Sequence, residues 1–186
     1  MIVDIDTIKD EFPNIDEKKL IKKLKAIEKT IRSHTNNNFM NRKYRTYGQI
    51  KDGILYMNDY LYFSEKENIE ISHTLNDDVY TIKSINQKEI TFLEEPRLFD
   101  CQKVMITKVE YPEDVQEGAI NMLKWDLGLR NKIGIKSETI SRHSITYFDM
   151  DANNSVKGYP ASLLGFLDDY MNARFWYDRW KYWINY

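Results

Sequence analysis

Residues 18–39 read KKLIKKLKAIEKTIRSHTNNNF, and the pattern changes only at the end of this stretch. Its apolar residues recur at spacings of four, three and four, which is one face of an α-helix: Leu20, Leu24, Ile27 and Ile31. Lysines fill the other faces. Asparagine tolerates the left-handed conformation that ends many helices, so the run beginning at Asn36 is a suitable stop. The stretch therefore predicts an amphipathic helix that ends near Asn36.

Before this helix, residues 4–12 predict a short acidic helix that is ended by Pro13. Asn14 or Asp16 can cap the long helix that follows, because a side-chain oxygen there accepts from a free amide of the first turn.

After the long helix, the sequence predicts β-strands from about residue 44 to residue 110. Short aromatic and β-branched runs alternate with turn residues such as Asp52-Gly53 and Asn86-Gln87. We expect five to seven antiparallel strands in the runs 45–50, 54–57, 60–63, 69–71, 79–82, 89–92 and 104–109.

Helical signals return after the β segment. Pro112 occupies a favoured first-turn position, and Gly134 ends the helical region. Residues 138–148 predict an extended segment, residues 149–158 a polar loop, and Pro160 begins a last helix. The core face of the helix after Pro112 is predicted to hold Val115, Ala119, Met122, Leu123 and Leu127.

The order of these elements predicts an α+β fold. We expect a small helical core of about four helices, formed by residues 1–43 and 111–186, with an inserted antiparallel β subdomain at residues 44–110. The chain of 186 residues is long enough for this arrangement.

Composition narrows the function classes. One cysteine, Cys101, excludes an internal disulfide framework, and the longest apolar runs are too short for a transmembrane helix. The N-terminal residues lack the pattern of a secretory signal. Charge is blocked along the chain: residues 1–17 carry a net −5, residues 18–45 carry +9, and residues 52–100 carry −7. Such blocks indicate contacts between copies or with partners, and clustered solvated faces are an equal alternative.

Catalytic and metal signals are weak. His34, His73 and His143 are far apart in sequence, and Ser141 and His143 stand in an extended segment without a nucleophile turn. We therefore expect no catalytic residues, no metal site, no cofactor and no enzymatic activity.

The C-terminal residues are unusually aromatic, with seven aromatic residues among the twelve of segment 175–186. Trp176, Trp180 and Trp183 fall on a single helical stripe. Aromatic residues mixed with Arg and Lys are typical of interface hot spots, so we predict a partner-binding segment; packing on the chain's own body is the alternative, and a membrane-surface helix is a third. The predicted interface residues are Phe175, Trp176, Tyr177, Trp180, Tyr182, Trp183 and Tyr186.

Two parts of the sequence carry a family resemblance. The stretch 24–39 ends in His34-Thr-Asn-Asn-Asn-Phe39, and the stretch 135–147 is followed, after a loop, by residues 159–170 with a Tyr159-Pro160 helix start. Together they resemble the head–tail connector, or adaptor, proteins of long-tailed bacteriophages and of prophages of low-GC Gram-positive bacteria. The resemblance covers about 100 residues. The β segment and the rich aromatic tail depart from the compact family pattern.

The resemblance implies a structural protein of the virion neck, assembled in the bacterial host cytoplasm. Its copies would form a ring, typically twelvefold, under the portal protein, extend the channel for double-stranded DNA, and receive a head–tail stopper or other neck protein. Segment 171–186 would reach the portal, and residues 138–148 and 149–158 would be candidates for contacts with neighbours or the channel. No membrane partner is implied.

The charge blocks suggest how copies would meet. The basic helix of one copy could contact the acidic β subdomain of the next, through Lys18, Lys22, Lys25 and Lys29. An alternative function is a nucleic-acid-binding module that uses the basic residues of segment 18–45.

Overall fold

The computed structural model describes residues 1–128, 137–140, 143–146 and 155–173. The fold is α+β, as predicted from the order of the elements. Its helices are α1 (Ile5–Glu11), α2 (Glu17–Thr35), α3 (Glu113–Gly128) and two short 3-10 helices, Ala161–Leu163 and Gly165–Tyr170. Its strands are β1 (Met40–Lys51), β2 (Ile54–Met57), β3 (Asn68–Ser72), β4 (Asp78–Asn86), β5 (Glu89–Phe92), β6 (Cys101–Val109), β7 (Ser137–Ile140), β8 (His143–Thr146), β9 (Ser155–Val156) and β10 (Tyr159–Pro160).

Helix α2 begins and ends at the predicted residues. The side chain of Asp16 caps it by accepting from the backbone amide of Lys19 at 3.1 Å, and Asn36 ends it in the left-handed conformation at a φ of 51°. The four apolar residues of its predicted face, from Leu20 to Ile31, are fully buried. The 3.6-residue period was therefore sufficient to identify the buried face of this helix.

Strands β1 to β6 form a closed antiparallel barrel in the order β1-β2-β5-β4-β3-β6. Six of the seven predicted strand runs lie within observed strands: 45–50, 54–57, 69–71, 79–82, 89–92 and 104–109. Because the two outer strands pair with each other, the barrel has no free edge.

The predicted strand at 60–63 is wrong. These residues form turns, since the carboxylate of Asp59 accepts from the amide of Leu61 at 3.1 Å and Phe63 donates to the carbonyl of Tyr60 at 3.0 Å. Phe63 is buried against the barrel interior while Leu61 and Tyr62 are exposed. Phe63 therefore joins the core cluster of the barrel from a turn and not from a strand.

The predicted last helix at Pro160 is also not an α-helix but the two short 3-10 helices. Its core residues Leu164 and Leu167 and the partly buried Tyr170 are spaced by three, which matches the three residues per turn of a 3-10 helix.

Two hydrophobic clusters form the core of the described part of the chain. One lies among the helices and joins residues from both ends of the described chain, from Ile2 to Leu167. The other fills the barrel and includes Leu55, Ile82 and Ile106. Val79 and Val109 are barrel residues that belong to the helical cluster, so the barrel packs directly on the helices. The division into domains at residues 44 and 110 stays a prediction; the first barrel strand begins at Met40.

A buried polar contact links α2 to the start of α3. The hydroxyl of Tyr111 donates to the Glu28 carboxylate at 2.8 Å, and both side chains are almost fully buried. Burial raises the pKa of the Tyr111 hydroxyl, so it stays a donor. Within the described residues, no helix is both long enough and apolar enough to span a membrane.

Candidate partner-binding surfaces

The two stretches that carry the family resemblance meet in space. Residues 159–173, here called the C-terminal strap, run across the end of α2. The backbone amide of Asn172 donates to the carbonyl of Thr35 at 2.8 Å. The side-chain amide of Asn36 donates to the Ala173 carbonyl at 3.1 Å, and that of Asn37 to the Tyr170 carbonyl at 3.2 Å. The last described residues are thus fixed to the helix end.

Aromatic contacts hold the same junction. The ring of Phe39 lies between those of Tyr111 and Tyr170, with centroids 5.0 and 5.7 Å away. The hydroxyl of Tyr170 donates to both oxygens of the Asp114 carboxylate, at 2.9 and 3.0 Å. This hydrogen bond to Asp114 raises the pKa of the Tyr170 hydroxyl. The strap is therefore tied to α2 and to α3 at once.

A glycine on α3 provides the seat for the strap. The ring of Phe166 lies so close to Gly118 that a Cβ atom there would stand 2.2 Å from the end of the ring. Farther along the helix, Trp125 contacts Tyr159 with ring centroids 6.1 Å apart. The strap thus crosses α3 as well as the end of α2.

The asparagines of the helix stop permit a matched test. We expect Asn37→Ala to lower the free energy of unfolding by about 1–3 kcal/mol, because it removes the hydrogen bond to Tyr170 and the acceptor for the Phe39 amide, which lies at 2.8 Å. Asn37→Asp keeps the acceptor and loses the donor, so it should cost less. Urea unfolding measures both, and amide exchange of the Asn172 N–H reports the strap. Unchanged exchange in both variants would contradict the strap contact.

The aromatic residues predicted to bind a partner lie outside the described residues, which end at Ala173. The structure describes only the point from which this segment departs. They are Phe175, Trp176, Tyr177, Trp180, Tyr182, Trp183 and Tyr186.

The predicted inter-subunit lysines divide into two kinds. Lys18, Lys22 and Lys29 are exposed. Lys25 is only partly exposed and its ammonium lies 3.5 Å from the Glu94 carboxylate of the same chain. Arg32 likewise contacts Asp78 at 3.1 Å. The basic helix and the acidic barrel segment therefore form ion pairs with each other within one chain, and these residues contribute less charge to a contact between copies.

The extended segment predicted at 138–148 contains β7 and β8, which pair antiparallel with each other in a sheet separate from the barrel. Residues 141–142 and 147–148 of this segment, and residues 149–154 of the predicted polar loop, lie outside the described residues. The end of that loop contains β9, which pairs with β10.

The side chains that could bind a metal ion are not clustered in the part of the chain that the structure describes. Among the described residues, no three His, Cys, Asp or Glu side chains are grouped as a metal site. Cys101 is half-buried at the start of β6, and its thiol donates to the Lys103 carbonyl at 3.3 Å.

One basic surface was missed by the sequence analysis. Strands β1 and β6 are neighbours in the barrel, and together they bring Arg45, Tyr47, Lys51 and Lys103 onto one side. Alternation along 43–51 was a usable signal for the β1 part. The contribution of β6 depends on a pairing across more than 50 residues, which the sequence pattern does not reveal.

Comparison with models of protein families gives no match, and neither a curated protein nor a solved structure matches the chain.

Proposed function

We propose that this chain is a structural protein of the phage neck: an adaptor whose copies form a ring under the portal, extend the DNA channel and receive the next neck or tail component. Its work would be geometric and not catalytic, with no cofactor. It would act in the virion after assembly in the bacterial host cytoplasm.

The junction between α2 and the C-terminal strap carries this proposal. The two resembling stretches are separated by more than 100 residues in sequence, yet they contact each other, since both Asn37 and Phe39 contact Tyr170. A structural motif shared with the connector family would require such a contact. The junction also fixes the point from which the aromatic segment departs, and a docking arm gains affinity when its base is held in place.

The charge distribution supports assembly between copies. Lys18, Lys22 and Lys29 are exposed on α2, while residues 52–100 of the barrel carry a net −7. A subunit with a basic face and an acidic face favours a heterologous interface, in which the basic face of one copy contacts the acidic face of the next. Repetition of this interface closes a ring when the rotation between neighbouring copies divides a full turn evenly. Lys25 contributes less, because Glu94 of the same chain already lies beside it.

Electron microscopy with the portal encoded in the same genome tests the proposal. We expect the full chain to add a ring of density to the portal and a chain lacking residues 174–186 to add none. This truncation leaves the strap and its hydrogen bonds in place, so the variant should remain folded. A ring with both chains would reject the tail as the anchor, and no ring with either folded chain would reject the adaptor role.

The ring contact has its own test. Reversal of the three exposed lysines, Lys18→Glu, Lys22→Glu and Lys29→Glu, should weaken ring assembly on the portal. The matched control is Lys88→Glu together with Lys43→Glu and Lys51→Glu, which changes net charge equally but at exposed lysines of the barrel. Equal loss in both variants would show a general charge effect and contradict the predicted contact.

A further inference from the structure

Two neighbouring strands of the barrel, β1 and β6, contain no acidic residue. Strands β1 and β6 together contain six Lys or Arg residues and no Asp or Glu, whereas the intervening residues 52–100 contain eleven acidic residues and four basic ones. Because β1 and β6 pair along most of their length, the six cations lie on adjacent strands. We call the exposed side of these two strands the β1–β6 face.

Alternation places the cations outward. Thr46, Gly48 and Ile50 are buried, so the intervening positions Arg45, Tyr47, Gln49 and Lys51 are exposed. A register shift between Asn41 and Arg45 interrupts the pairing with β6, and the exposed Arg42 and Lys43 stand within it.

Two contacts hold parts of this face in place. The ammonium of Lys103 lies 4.5 Å from the centre of the Tyr47 ring, and the Arg45 Nε donates to the Thr107 hydroxyl at 3.0 Å. Neither contact neutralises its cation. Tyr47 itself is 47% exposed, so its ring is open to a ligand beside Lys103.

The acidic residues closest to the β1–β6 face lie at its edges. Among the described residues, Glu110 contacts Lys108 at 3.2 Å and accepts from Asn41 at 2.5 Å. Lys108 also contacts Glu67 at 2.8 Å, so among the described residues it is the only one of the six cations in an ion pair within 4 Å. Lys43 and Arg45 interact at longer range with Glu110 and Glu70, respectively. Glu70 is on the neighbouring strand β3, opposite Thr107. Five cations of the face therefore remain exposed: Arg42, Lys43, Arg45, Lys51 and Lys103.

We propose that the β1–β6 face binds the phosphate backbone of double-stranded nucleic acid without reading its sequence. Stable protein interfaces place apolar side chains at their centre, but the exposed part of this face consists of cations, amides and one tyrosine, with a single apolar residue, Met40, at the end of β1. A surface with repeated cations and no apolar centre fits a partner with regularly repeated negative charge. Arg45 is suited to this role because a guanidinium can donate two hydrogen bonds to one phosphate.

The dimensions agree with this ligand. A strand rises about 3.3 Å per residue, so the cations from Arg42 to Lys51 extend over roughly 25–30 Å. A duplex carries one phosphate per roughly 3.4 Å of axis on each strand, so several phosphates lie within reach of the face. The site involves neither the strap nor the C-terminal segment, and it stands or falls independently of the proposed neck role.

The affinity of the full chain for a labelled duplex of about 20 base pairs, measured by fluorescence anisotropy over a range of salt concentrations, tests the site. A variant of the β1–β6 face, here called the strip variant, combines Lys43→Gln, Lys51→Gln and Lys103→Gln. It removes three exposed charges and leaves the Arg45–Thr107 hydrogen bond in place. Its matched control combines Lys18→Gln, Lys22→Gln and Lys29→Gln on α2, with the same change in net charge. Circular dichroism and thermal melting verify that both variants fold.

We expect the wild type and the helix control to bind equally, with affinity falling steeply as salt rises. The strip variant should bind about tenfold or more weakly, and its slope of log affinity against log salt should be smaller by roughly 2–3, since each phosphate contact contributes about 0.9. No binding by the wild type at low salt would overturn the proposal. So would equal losses in the two variants, or a loss confined to the helix control, which would favour α2 as the nucleic-acid site.

Competition identifies the class of polyanion. Unlabelled duplex should displace the probe at a much lower concentration of charge than poly-L-glutamate does. Equal displacement by poly-L-glutamate would show a general attraction for acidic polymers and would overturn the assignment to a nucleic-acid backbone.

Discussion

Replacement of Gly48 by alanine is expected to destabilise the chain by about 3 kcal/mol or more, at the upper end of the cost of overpacking a core. Gly48 lies in the middle of β1 and pairs with Met57 of β2 on one side and Val104 of β6 on the other. A Cβ atom there would stand 2.4 Å from the backbone oxygen of Tyr56 and 2.9 Å from the Cδ1 atom of Ile106.

The size of this effect follows from what would have to move. A flexible side chain can rotate away, but the Tyr56 oxygen belongs to the backbone of β2, which also pairs with β5. Relief of the clash therefore shifts a strand of a closed barrel. For a chain of this size, about 3 kcal/mol corresponds to a fall in melting temperature of roughly 6–12 °C.

Thermal unfolding measured by circular dichroism tests this prediction. The control is Gly165→Ala, where an added Cβ atom meets no atom within 4 Å, and it should leave the melting temperature nearly unchanged or raise it slightly. A Gly48→Ala variant as stable as the wild type would show that β1 and β2 are not packed as closely as described.

Replacement of Gly118 by leucine is expected to displace the C-terminal strap, at a cost of about 2–3 kcal/mol. The new side chain would occupy the position of the Phe166 ring, three atoms of which lie within 2.5 Å of the added Cβ. Leucine is a far better helix former than glycine, by up to about 1 kcal/mol, so α3 itself should persist.

A double-mutant cycle separates this contact from a general effect on the helix. Phe166→Ala should remove part of the penalty, because the leucine can then fill the space that the ring leaves. We expect a coupling energy of at least about 1 kcal/mol between Gly118→Leu and Phe166→Ala in urea unfolding. Additive effects would contradict the seating of Phe166 on α3. The same cycle can be followed by portal docking, which should weaken when the base of the aromatic segment is displaced.

The helix ends that depend on local sequence signals were predicted correctly. The ends of α2 follow from Asp16 and Asn36, whose side chain and backbone preference act within one turn of the helix. The start of α3 after Pro112 has the same local origin. The two errors, at 60–63 and after Pro160, both arose because apolar residues were taken as evidence for a regular element. In each case burial was real, but a turn or a 3-10 helix achieved it.

The candidate sites could be predicted only in part. The aromatic segment and the basic α2 follow from composition and spacing alone. Their surroundings do not, because the contact of Lys25 with Glu94 joins residues far apart in sequence. The strap junction was not predicted, because the sequence contained no measure of the distance between the two stretches that resemble the connector family.

Most elements, their order and the blocks of charge could be read from local patterns, since propensity, capping and period act over a few residues. The pairing of β1 with β6, which closes the barrel and places six cations on adjacent strands, could be known only from the folded chain. The same holds for the return of Asn172 to the end of α2. These outcomes depend on the packing of segments more than 50 residues apart, where burial of a shared core outweighs local preference.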